Sequence, residues 1–186
     1  MINVNEVLKT IKERYSCRDF SPAPLTKEQI GVLVEAALAA PSGLNRQPWH
    51  IIVITDKALL EEYDAEAMEI LKQQGQEAYE RMMSRGGKMF YNAPCMIFIA
   101  KDSTDYSKVD SAIVSQNVAL AAQSMGLGNV ICGMARIPLT GPNADAWAKR
   151  LQIPDDYEFG MSVCVGMAQS GKAPHELDYN KVTYVG

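Results

Sequence analysis

Residues 94–100 read Pro-Cys-Met-Ile-Phe-Ile-Ala, a run without one polar side chain. So short a run, bounded by proline, suits a strand rather than a helix. A strand apolar on both sides must be covered on both sides. Residues 160–168 repeat the pattern, with Ser162 as the lone hydroxyl. Residues 49–55 and 129–135 add two more β-branched, apolar runs. Helical patterns lie between and around them. The expected fold is therefore α+β, with a sheet buried between helical layers.

The helices carry local signals. Val4, Val7, Leu8 and Ile11 recur at helical spacing. Thr26 and Gln29 form a capping box, with Leu25 and Ile30 as its hydrophobic staple. That second helix runs through Leu33, Val34 and Ala37 and must stop at Pro41. Residues 56–90 are helical in character but are interrupted at Gly75 and at Gly86-Gly87. Their methionines (68, 82, 83 and 89) suit core packing, or a lid over a site. Residues 111–125 form a helix with little polar face, ended by Gly126. Burial on most of its sides implies cover from a second subunit. A further helix is expected over 142–151. The polar tail, 169–186, ends in Val-Thr-Tyr-Val before Gly186 and is expected to pair at a sheet edge. At 186 residues the chain is expected to form one domain.

Charge and motif content narrow the chemistry. Eighteen basic against 22 acidic residues argue against nucleic acid or an anionic membrane as partner. Cysteines at 17, 95, 132 and 164 form no C-x-x-C pair and suit a reducing cytoplasm. The first twenty residues lack an apolar core, so no signal peptide is expected, and no run approaches a membrane span. Gly126-Leu127-Gly128 is a poor dinucleotide fingerprint, since Ile131 stands where the third glycine belongs. His50 and His175 are the only histidines, so no metal site is expected. No nucleophile elbow occurs. A chain this poor in acids, bases and nucleophiles leaves its chemistry to a cofactor, and no catalytic side chain is assigned.

Two segments could hold one. Arg14, Ser16 and Arg18 alternate, so extended backbone puts two guanidiniums and a hydroxyl on one side. Arginine forks suit a phosphate. Residues 41–49, Pro-Ser-Gly-Leu-Asn-Arg-Gln-Pro-Trp, offer polar side chains to the edge of a flat heterocycle. Plainer roles compete. The arginines could pair with Glu13 and Asp19, and Ser42 and Asn45 could be turn residues. Cys132 reads as a small buried strand residue, and His50 as structural.

In the order of these motifs, with the Gly-Leu-Gly turn leading to Ile131-Cys132-Gly133, the chain resembles the short form of the FMN-dependent nitroreductase family. The resemblance implies a three-layer α/β/α fold about a mixed, mainly antiparallel sheet. It implies a homodimer with FMN bound tightly at the subunit interface. Arg14, Tyr15, Ser16 and Arg18 would hold its phosphate, ribityl chain and pyrimidine side. Pro41, Ser42, Gly43, Asn45 and Gln47 would come from the other subunit. Ile131, Cys132 and Gly133 would pass beside the ring, with a backbone N–H aimed at flavin N5, and Lys172, with His175, would close over the phosphate. Hydride would pass from transient NAD(P)H through the flavin to nitroaromatics or quinones by a ping-pong mechanism. Ene reduction, dehalogenation, or flavin binding without turnover remain open on the same scaffold.

Overall fold

The computed structural model describes residues 5–186, so Val4 lies outside the described residues. The elements are α1 (Glu6–Glu13), α2 (Lys27–Leu38), β1 (Trp49–Ile54), α3 (Lys57–Gln74), α4 (Gln76–Met83), β2 (Cys95–Lys101), α5 (Ser107–Ser124), β3 (Gly128–Ile131), α6 (Ala144–Arg150) and β4 (Glu158–Gly166). Three 3₁₀ turns, Gly43–Asn45, Gly133–Thr140 and Tyr179–Lys181, join them. The strands form one sheet in the order β1-β2-β4-β3, every neighbour antiparallel. The mixed character expected of it reduces to one parallel bridge between Ser16 and Asn129.

β2 is buried at every position, as its apolar run demands. One face of the sheet packs Met96, Phe98 and Cys164 against Tyr63 and Ala67 of α3 and Trp147 of α6. The other packs Ile97, Ile99, Val163 and Val165 against Leu33 and Ala37 of α2 and Val114, Val118 and Ala122 of α5. These are the three layers.

Local chemistry explains the helix ends. Thr26 accepts from the Gln29 amide at 3.2 Å, while Gln29 Oε1 accepts from the Thr26 amide at 2.9 Å. Two orphan donors are thereby satisfied. Asp56 caps α3 through the Leu59 amide. Gly75 separates α3 from α4, and Gly86 and Gly87 take φ of 101° and 65° after α4.

Two expectations need correction. α5 starts at Ser107, one turn before Ser111, because Ser107 and Asp110 are buried polar residues with partners rather than surface loop. β3 ends at Ile131, and Met134 and Ala135 lie on the 3₁₀ turn that holds Pro138. Within the single chain, residues 182–186 pair with no strand among the described residues, so the edge expected for them is not on their own sheet. Tyr184 and Val185 are 90% and 95% exposed. α1 likewise buries none of its residues, so Val7, Leu8 and Ile11 face outward.

Candidate functional site

Residues 14–18 leave α1 at its C-cap and run beside β3. The Ser16–Asn129 bridge and a 2.8 Å bond from the Cys17 amide to the Asn129 carbonyl fix the segment to the strand. Alternation then sorts the side chains. Cys17 is buried, Tyr15 packs against the core, Arg14 and Ser16 are half-buried, and Arg18 is exposed. Gly128 permits this approach. A Cβ there would lie 2.9 Å from Cys17 Sγ and 3.0 Å from the Ala168 Cβ.

Neither arginine forms an ion pair among the described residues, so pairing with Glu13 or Asp19 is absent there. Arg14 Nη1 donates to Asn129 Oδ1 at 3.5 Å. Arg18 donates to the Ser16 carbonyl at 3.3 Å and lies 5.9 Å from the centre of the Tyr91 ring. Two guanidiniums held only by neutral partners keep their charge for an anion. The Tyr15 hydroxyl donates to the Ser170 carbonyl at 3.0 Å, which ties the start of the tail to this edge. Lys172 and His175 follow on the exposed tail.

Ile131, Cys132 and Gly133 lie on the same edge. The Cys132 amide donates to the Ser162 carbonyl at 2.8 Å, and Ser162 Oγ donates back to the Cys132 carbonyl at 2.7 Å. With that amide committed, the next backbone donor is Gly133, whose N–H opens a 3₁₀ turn and lacks a partner within it. Cys132 and Cys164 are buried neighbours on one face of the sheet. The Cys164 thiol and the amides of Met134 and Ala135 hold Cys132 below the ordinary thiol range despite burial. Cys164 is pushed up by its bond to Cys132 and by burial.

The loop before β1 sits elsewhere. Ser42 Oγ accepts from the Gln47 amide at 2.9 Å, and Gln47 Nε2 donates to Asn45 Oδ1 at 3.2 Å. The Gly43 amide donates to the buried Asp110 carboxylate at 3.2 Å. Leu44, Asn45 and Gln47 take φ of 54°, 54° and 50°, a left-handed conformation uncommon away from glycine. Pro41, Asn45 and Gln47 are exposed, and Ser42 and Gly43 half-exposed. β1 and β3 are opposite edges of the sheet. Residues 14–18 lie one position beyond β3, so within one chain the loop is separated from them by four strand spacings across, about 19 Å, and by about 20 Å along the strands.

Two buried polar residues escaped sequence reading. Asn129 is fully buried, and its Nδ2 has no hydrogen-bond partner. A polar residue inside the apolar run 127–132 was its only signal. Asp64 of α3 accepts from the Phe90 amide at 2.8 Å, and burial pushes its carboxyl above the usual range. It lines a cavity of about 570 Å³ with Phe20, Leu60 and Phe90, which none of the residues assigned to the flavin reaches. No described helix is long and apolar enough to cross a membrane.

Known proteins match this fold and sequence. A crystal structure of a nitroreductase with bound FMN from Desulfitobacterium hafniense superposes with a TM-score of 0.95 at 45% identity, covering 99% of this chain and 100% of its own. An Archaeoglobus fulgidus relative, whose name carries both NADH dehydrogenase and NAD(P)H nitroreductase, is 31% identical over 94% of this chain and 92% of its own length. A Methanothermobacter thermautotrophicus relative bearing the same name is 31% identical over 69% of this chain, and that alignment spans 61% of the relative. The sequence model of the Nitroreductase family matches residues 11–167. Fold and sequence agree: the chain belongs to the nitroreductase family.

Proposed function

We propose that the chain is a cytoplasmic, homodimeric FMN oxidoreductase that takes electrons from NAD(P)H. The observation that carries this reading is the pair of guanidiniums, Arg14 and Arg18, free of carboxylates on the edge that also presents the Gly133 amide. That donor set fits a phosphorylated flavin: forks for the phosphate, Ser16 for the ribityl chain, and a backbone donor for ring N5. The relatives' names and the FMN of the D. hafniense protein support the same choice.

Bound there, FMN supplies two-electron redox chemistry between NAD(P)H and small electrophilic acceptors such as nitroaromatics or quinones, in two half-reactions with ping-pong kinetics. The protein binds and orients. The arginines neutralise the phosphate, and cationic and amide donors favour the charge that reduction puts on the ring. The loop at 41–47 is on the wrong edge to serve the same ring in its own chain. It serves a second copy, with Ser42, Asn45 and Gln47 on the ring edge. The exposed apolar residues of α1 and of the tail suit that contact. Lys172 and His175 close over the phosphate. α4, with Met83 at 48% exposure, covers the open face of the ring.

Purified protein with excess FMN should turn yellow and sediment as a dimer. Anaerobic mixing with NADH or NADPH should bleach the flavin band within the turnover time. A colourless protein, or a monomer that binds FMN as tightly as any dimer, defeats the proposal. A yellow protein that neither nucleotide bleaches is a binder and not this enzyme.

A further inference from the structure

We propose that Asn129 is a positioning residue for the anion site, setting both the course of residues 14–18 and the aim of Arg14. The inference rests on the reading of Arg14 as a phosphate contact. Asn129 holds the segment by backbone and side chain together: its pairing opposite Ser16 includes the 2.8 Å bond from the Cys17 amide to its carbonyl, and its Oδ1 takes Arg14 Nη1 at 3.5 Å. The residue is fully buried, and its Nδ2 is the one buried side-chain polar atom without a partner among the described residues. A buried amide with an unmet donor is unfavourable on its own, so the packing of a core does not account for it.

Charge explains the choice of an amide. A carboxylate at 129 would hold Arg14 more firmly and would neutralise it. A neutral acceptor orients the guanidinium and leaves its charge for the ligand. Asn129 alternates with Val130 and shares its face with Ile131, which packs on the α5 side, whereas Cys132 packs on the α3 side. Arg14 is thereby drawn to the side of the strand away from Cys132.

The test compares FMN with riboflavin, which lacks only the phosphate. Dissociation constants come from quenching of flavin fluorescence, with folding followed by circular dichroism. N129D should weaken FMN about tenfold or more while riboflavin changes less than about threefold. N129A, which removes acceptor and orphan donor together, should shift FMN in the same direction and should have little further effect on top of R14A. If N129D does not fold, N129A and its cycle with R14A carry the comparison. Equal losses for FMN and riboflavin, or additive effects of N129A and R14A, overturn the assignment and leave the flavin reading intact. Failure of the parent protein to bind FMN overturns both.

Discussion

Among the described residues Arg18 makes one hydrogen bond, to a neighbouring carbonyl, and lies over one aromatic ring, so its removal tests the site with little disturbance of the fold. Arg18→Ala should leave the melting temperature within about 2 °C, as surface substitutions do. It should weaken FMN retention about tenfold, measured by flavin released on dilution. Undiminished retention removes Arg18 from the site. Asp64 behaves in the opposite way. Burial raises its folded pKa, with the Phe90 amide and Lys88 opposing only in part. A carboxyl raised in this way favours folding most below its unfolded pKa and loses that contribution as pH rises through the folded value. Asp64→Asn keeps an acceptor for the Phe90 amide and removes the charge. It should raise the melting temperature by roughly 2–4 °C at pH 7, and the gain should vanish as pH falls below the ordinary carboxylate range. A gain that persists in acid argues that charge is not the cause.

At the scale of elements, two glycines separate fold from site. A Cβ on Gly160 would meet Ser111 and, at 2.9 Å, the Ile99 carbonyl, between α5 and the sheet. One on Gly128 would meet Cys17 and Ala168, between β3 and residues 14–18. Either alanine should cost about 1–3 kcal/mol by overpacking. Only Gly128→Ala should also weaken FMN binding beyond what its stability loss explains, as seen by comparing affinities well below each variant's melting temperature. The elements themselves were largely legible. β2 followed from seven residues without polarity, and α2 from Thr26, Gln29 and Pro41, because those signals are local. The early start of α5 was not legible, since Ser107 and Asp110 look like loop until their buried partners are known. The end of β3 is not legible either: Met134 and Ala135 continue its apolar run, while tertiary context turns them into a 3₁₀ segment. Residues 14–18 and 41–49 were legible as candidates. Asn129 was not, because its meaning depends on an arginine 115 positions away.

At the scale of the molecule, the sheet order assigns the two polar segments to opposite margins, one beyond β3 and one before β1. If each pocket is completed across a twofold axis, the segments can be damaged in different polypeptides. Co-expressing an Arg18→Ala chain with a chain carrying Ser42→Ala and Asn45→Ala would yield mixed pairs. One pocket in such a pair inherits both lesions and the other inherits neither. Each parent alone should hold flavin poorly, whereas the purified hybrid should retain it at close to one equivalent per pair. Genetic complementation between two crippled copies thus becomes a property of where a strand happens to lie.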